Sequence, residues 1–199
     1  MRPFSQACEN NKAPILARLR PYLKPSVTVW EIGSGTGQHA VYFAEQMPHI
    51  QWQPTDLPDA LPGITAWMLD SPAKNVAQPL VLDVCEQPWP ADDMDMVYTA
   101  NTIHIIEEAA VAALFEGVGR LLKVGGLFFI YGPFIYGGAY TSDSNAQFDL
   151  WLKARDSKSG IKTLESLEAL GRRVGLRLKA DHAMPANNQF LVWEKINEA

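Results

Sequence analysis

Apolar positions along the chain change their period several times, and each change marks an element. Ile15, Leu16, Leu19, Tyr22 and Leu23 recur at helical spacing and predict a helix over 10–23, with Pro14 in its first turn. Residues 27–32 (VTVWEI) form a β-branched and aromatic run that ends in glycines, which predicts a buried strand. Residues 38–47 return to helical spacing and Pro48 closes them. Residues 50–54 alternate like a strand and run into Thr55-Asp56. The stretch 57–77 is rich in Pro, Asp and Gly, and only 64–69 is apolar enough for a short helix.

A third strand is expected at 80–84 (LVLDV) and a fourth at 94–100 (MDMVYTA). From 107 to 123, Val111, Leu114, Phe115, Val118, Leu121 and Leu122 share a helical face, with acids at the start, Lys123 at the end and Gly125-Gly126 as the stop. Residues 127–131 (LFFIY) form a fifth strand, 164–174 another amphipathic helix, and 176–180 and 190–195 two final strands. Between them, 132–160 is expected as a loop-rich insertion and a candidate substrate cap. Strands that alternate with helices imply βαβ units: an α/β fold with a mostly parallel sheet and helices on both faces. The pattern reads as one domain over 1–199.

Composition narrows the function classes. The 199 residues carry a net charge of −5 and no dense Lys/Arg run, which argues against a nucleic-acid partner. No apolar run approaches the ~20 residues of a membrane span, and the polar N-terminus lacks a secretory h-region. Cys8 and Cys85 suggest neither a disulfide framework nor a metal site. The expectation is a reduced cytoplasmic protein, monomer or homodimer, that acts on a small molecule without a metal.

Between the first strand and the following helix stands Glu31-Ile-Gly33-Ser34-Gly35-Thr-Gly37. Glycines there allow a tight turn and let backbone N–H groups and a helix N-terminus approach a ligand. A dinucleotide fingerprint needs its third glycine at position 38, where this chain has Gln, and the Gly-Lys-Ser/Thr of a phosphate loop is absent. The leading carboxylate would repel a phosphate but suits the cationic methionine moiety of S-adenosylmethionine. The pattern resembles motif I of class I methyltransferases, although glycine turns also occur as purely structural connections.

Open α/β sheets bind ligands beyond the carboxyl ends of their strands. Asp56, with Leu57 after it, is placed to accept the ribose hydroxyls; Asp83 and the Val84 N–H are placed for adenine; Asn101 is placed for the amino-acid end. An Asp after a strand is, taken singly, more often a turn residue. Together these positions point to S-adenosylmethionine, with S-adenosylhomocysteine as product.

The chain also carries Asn11-Lys12 with Pro14-Ile15, Asn101 with His104-Ile105, Tyr131-Gly132-Pro133-Phe134, Asn145 with Phe148-Asp149, Arg155-Asp156 with Gly160-Ile161, and Met184-Pro-Ala-Asn187-Asn188. Over nearly its whole length it resembles the methyltransferase-like protein 26 family, small class I methyltransferase-fold proteins of poorly defined substrate. Where that family commonly has Arg before its first asparagine, this chain has Asn10. The resemblance implies a Rossmann-like, seven-stranded sheet with an antiparallel last strand, and no particular acceptor.

His104, just past the fourth strand, is the candidate catalytic base, since its ordinary pKa of about 6.5 suits proton transfer. The alternative is a histidine that bonds a backbone carbonyl and positions Asn101. Tyr131, Tyr136, Tyr140, Asn145, Asp149, Arg155, Asn187 and Asn188 are candidates for an acceptor pocket, against the plain readings of loop residues and an Arg155–Asp156 surface pair. Asn11 and Lys12 are expected over the cofactor, or Asn11 as a helix cap. A nicotinamide-linked oxidoreductase is disfavoured by the glycine spacing and the missing Tyr-x-x-x-Lys pair. The alternative that stays open is a non-catalytic, S-adenosylmethionine-binding regulatory protein.

Overall fold

The computed structural model describes residues 2–197. Seven strands form one sheet in the order β3-β2-β1-β4-β5-β9-β8. They are β1 (Thr28–Ile32), β2 (Gln51–Asp56), β3 (Leu80–Val81), β4 (Met94–Ala100), β5 (Leu122–Gly132), β8 (Leu176–Met184) and β9 (Asn188–Lys195). β1 runs parallel to β2 and β4, and β2 parallel to β3, whereas β9 is antiparallel to both β5 and β8. The helices are α1 (Gln6–Leu19), α2 (Gln38–Gln46), α3 (Leu61–Asp70), the one-turn α4 (Thr102–Ile105), α5 (Glu108–Leu121), α6 (Asp143–Arg155) and α7 (Leu164–Arg173). A small hairpin, β6 (Ile135–Tyr136) with β7 (Ala139–Tyr140), precedes α6. Among the described residues no helix is long and apolar enough to cross a membrane.

The chain divides into two compact units. The first comprises the residues up to Asp83 with Met94–Thr99, and the second comprises Val84–Asp93 and the residues from Ala100 onward. In the first, Phe43 packs against Trp52 and Tyr98 at ring distances of 5.2 and 5.7 Å, with Ile15, Leu19 and Val97 buried around them. In the second, Phe115 meets Phe128 and Trp193 edge-on, and Phe129 stacks on Phe190. Each aromatic pair adds about 0.5–1.5 kcal/mol to its apolar burial.

Four local expectations are corrected. α1 begins at Gln6, because the Ser5 hydroxyl caps it by accepting from Cys8 N–H (3.3 Å), so Pro14 lies inside the helix and Asn11 is not a cap. β3 covers only Leu80–Val81, which leaves Asp83 two residues beyond the strand. α5 ends at Leu121, and Leu122 is already extended (φ −81°, ψ 131°). Gly125-Gly126 therefore lies within β5, where Gly125 sits at φ +84°, and the pair stops no helix. The stretch 132–160, expected as loop-rich, holds the β6–β7 hairpin and the 13 residues of α6, whose cap is Ser142.

Candidate functional site

In the first unit, the turn after β1 is pinned to β2. Gly33 and Ser34 N–H both donate to Thr55 O (3.0 Å each), and Gly37 N–H donates to Ser34 O (2.9 Å). Ser34 Oγ accepts from Thr55 N–H (3.2 Å), and Thr55 Oγ1 donates to Glu31 O (2.8 Å). Asp56 closes the arrangement: Oδ2 accepts from Gly35 N–H and Oδ1 from Leu57 N–H, each at 2.7 Å. Gly37, at φ +85°, must be glycine, since a Cβ there would stand 2.8 Å from Ile64 Cα. Gly35, at φ +56°, faces open space, with nothing within 4 Å of where a Cβ would be. Gly35, Thr36, Asp59, Pro62, Gly63 and Pro3 line a pocket of about 360 Å³ beside it.

Glu31 is 2% exposed and accepts from Trp52 Nε1 at 2.9 Å. Burial pushes its pKa up to about 7, against the hydrogen bonds of Trp52 and Ser34, and nearby Asp56 adds to the rise. Among the described residues no cationic side chain pairs with it. A buried acid held near neutrality is ionised by an arriving cation, so the geometry suits a positively charged ligand.

The structure uses Asn11 and Lys12 elsewhere. Asn11 Oδ1 accepts from His39 Nε2 (2.7 Å), and the Tyr98 hydroxyl donates to His39 Nδ1 (3.3 Å). Lys12 pairs with Glu9 and lies over the Tyr42 ring. The N-terminal segment reaches the turn by residues that the sequence pattern did not single out. Ser5 N–H donates to Gln38 Oε1 (2.5 Å), Gln38 Nε2 returns a bond to Ser5 O, and Trp67 Nε1 donates to Pro3 O (2.6 Å). Asp83 is half-buried near the edge of this unit.

In the second unit, Val84 is half-buried in the turn after Asp83. Asn101 adopts the left-handed conformation (φ +60°), which asparagine tolerates better than most residues, and its N–H donates to Tyr131 O (2.9 Å). It leads into α4, where His104 is 1% exposed and neither ring nitrogen has a partner among the described residues. Burial, with Lys162 nearby and Asp149 opposing, lowers its pKa to about 3. A Cβ at Gly132 would stand 2.2 Å from His104 Nε2 and 3.4 Å from Asn101 Oδ1, so the imidazole and the amide converge on a position that only glycine can fill. The Phe134 ring meets the imidazole edge-on at 5.4 Å. The signal that could have revealed Gly132 is its place at the end of β5.

β5–β9 register pairs Gly132 with Gln189, which brings the β8–β9 turn beside this position. Asn145 Nδ2 donates to Asn187 O (2.9 Å), Asn187 Nδ2 donates to Ser144 Oγ (3.3 Å), and Asn188 Nδ2 donates to Pro185 O (3.1 Å). Ala186 and Asn187 both sit at φ +56°, backbone strain of the kind that clusters at functional sites. Asn145, Asn187 and Asn188 are thus brought together. Tyr136 is engaged with Asp181 (2.7 Å), which with burial raises its pKa well above the ordinary phenol value. Both oxygens of Asp149 are occupied by protein donors. Arg155 is exposed over the Trp151 ring, roughly 15 Å along α6 from Asn145.

With this geometry, the chain is similar to solved methyltransferase structures at 14–16% identity. An O-methyltransferase family protein from Burkholderia thailandensis matches with a TM-score of 0.84 at 14% identity, covering 96% of this chain and 57% of that one. Human N-acetylserotonin methyltransferase in complex with S-adenosylmethionine matches at 0.82 and 15% identity, covering 96% and 53%. An O-methyltransferase family 2 protein from Planctomyces limnophilus, in complex with apigenin, matches at 0.81 and 16% identity, covering 96% and 60%. These likenesses establish the class I methyltransferase fold, and the chain spans between about half and three fifths of the length of these proteins. A family model described as "Protein of unknown function (DUF938)" matches residues 2–195.

Proposed function

The chain belongs to the DUF938 family, and from that premise we propose that it is an S-adenosylmethionine-dependent methyltransferase of a small molecule. The observation that carries the reading is the Glu31–Gly35–Asp56 constellation: a buried carboxyl near neutrality beside an open glycine turn anchored by a strand-end aspartate. Glu31 would take the cationic end of the cofactor, the open face of Gly35 its approach, and Asp56 and Asp83 its ribose and adenine. When bound, S-adenosylmethionine supplies an electrophilic methyl on a sulfonium. The resemblance to the methyltransferase-like protein 26 family is the finer form of the same proposal.

The second unit would serve the acceptor. His104, neutral throughout the physiological range, can accept a proton at an unpartnered ring nitrogen. Asn101 and the Asn145–Asn187–Asn188 cluster would orient polar groups of the acceptor. Matched proteins named as O-methyltransferases support a hydroxyl acceptor. The 1% exposure of His104 favours a second reading, a protein that holds the donor and transfers nothing.

Calorimetry with S-adenosylmethionine, S-adenosylhomocysteine and NAD tests the donor site: binding of both sulfur ligands and not NAD is expected, and the reverse overturns it. Release of S-adenosylhomocysteine across a library of hydroxyl, amine and thiol metabolites separates the enzyme from the binding protein.

A further inference from the structure

Three consecutive carbonyls at the end of α4 are met by donors from one distant segment. Gly160 N–H donates to His104 O (2.9 Å), Ser159 Oγ to Ile105 O (3.0 Å) and Lys162 Nζ to Ile106 O (3.2 Å). A single helical turn has too few hydrogen bonds of its own to offset the entropy of ordering it. The place of α4, and with it the direction of the His104 ring, is therefore set from outside the helix.

That segment is fixed in turn by α6. Asp149, whose side chain has no exposed surface, accepts from Ile161 N–H at Oδ1 (2.7 Å) and from Tyr140 Oη and Lys153 Nζ at Oδ2 (2.6 Å each). Gly160 lies so close that a Cβ would stand 3.0 Å from Asp149 Oδ1 and 3.1 Å from Lys153 Cε. Ile135 N–H, on β6, donates to Lys162 O (3.1 Å) and ties the far end of the segment. The chain of contacts runs from Asp149 through Gly160 and Ile161 to the carbonyls of α4.

We propose that Asp149 is a positioning residue that holds the His104 imidazole through the 159–162 segment and does not itself touch the acceptor. The proposal rests on the reading of His104 as the proton acceptor. It differs from an acceptor-binding role in a way that the geometry makes concrete, because both carboxylate oxygens already meet three protein donors in a buried place. It also accounts for the pairing of Asp149 with Gly160-Ile161: one buried carboxylate of α6 and the loop it holds act as a clasp.

The test is imidazole NMR on the full chain, whose four histidines keep the spectrum simple. His104 is assigned by its loss in His104→Gln. Asp149→Ala is expected to move the His104 ring resonances while those of His39 stay in place. Asp149→Asn, which keeps an oxygen for Ile161 N–H, is expected to return them most of the way. Ser159→Ala removes one of the three donors and gives a smaller shift in the same direction. If Asp149→Ala does not fold, Asp149→Asn and Ser159→Ala carry the test. His104 resonances at wild-type positions in every folded variant overturn the proposal, as does a displacement by Asp149→Asn as large as that by Asp149→Ala. Calorimetry with S-adenosylhomocysteine on the same proteins is read separately. No binding by the wild type sinks the methyltransferase reading, and the NMR still decides whether Asp149 holds α4.

Discussion

Two buried histidines, one in each unit, sit in opposite circumstances. His39, on the helix that leaves the glycine turn, has both ring nitrogens engaged, one by Asn11 and one by Tyr98. His104, on the turn after β4, has neither engaged among the described residues. Burial lowers both pKa values, to about 4 and about 3, so both are neutral near pH 7. The partners make the difference. A buried polar atom without a partner costs about 1–3 kcal/mol, and among the described residues no hydrogen bond asks for a histidine at 104 as the Asn11–Tyr98 pair asks for one at 39. A satisfied buried histidine is explained by its partners; the place of His104 is not explained by hydrogen bonds to its ring.

The largest expected effect bears on both residues together. A histidine whose folded pKa lies below its unfolded value of 6.5 contributes stability that is complete above 6.5 and lost as the pH falls toward the folded value. Glu31 runs the other way: with a folded pKa of about 7 against 4.5, it recovers stability as the pH falls between them. Two groups lose and one gains, so urea unfolding should show about 1.4 kcal/mol lost per pH unit, roughly 3 kcal/mol from pH 6.5 to 4.5. A flat profile would mean that only one histidine is held neutral, its loss cancelled by Glu31, and stability that rises as the pH falls would mean that neither is. Glu31→Gln should steepen the slope.

Next, substitution should part the two histidines. His39→Leu strands Asn11 Oδ1 and the Tyr98–His39 bond and should cost about 2–3 kcal/mol in urea unfolding, whereas His104→Leu strands nothing and should fall within ~1 kcal/mol of wild type. Equal losses would erase the contrast. On the donor side, Asp56→Ala removes the anchor of Gly35 and Leu57 and should weaken S-adenosylhomocysteine binding roughly 10²-fold, with His104→Ala nearly unchanged in the same calorimetry. The smallest effect is on pH dependence: affinity for S-adenosylmethionine should rise by about tenfold from pH 6 to pH 8 as Glu31 ionises, and Glu31→Gln should flatten it.

The sequence was informative wherever the cause is local. β1, β4 and α7 were legible from period and propensity, and the glycine turn from its spacing between a strand and a helix. α6 was not, and the reason is specific. Its buried positions, Asn145, Asp149 and Leu152, do fall at helical spacing, but two of the three are polar, while Phe148, Leu150 and Trp151 point outward. A stripe made of hydrogen-bonding residues does not register as hydrophobic period. Gly132 and Gly160 entered only among the residues that carry the family resemblance, since what makes them glycine is His104 in one case and Asp149 in the other. The arrangement around the glycine turn was legible because its partners are neighbours on adjacent strands. The surroundings of His104 depend on contacts such as Ser159 to Ile105, which no local window contains.

The strap formed by Arg2, Pro3 and Ser5 has a practical consequence at the bench. Arg2 lies over the Trp67 ring and pairs with Asp70, and Ser5 is bonded to the first residue of α2. An affinity tag or fusion partner joined ahead of Arg2 is expected to act on a segment that is bonded to the residue after the glycine turn. S-adenosylhomocysteine titrations with the tag present and removed are expected to differ, and equal affinities would show that the turn is indifferent to what precedes Arg2.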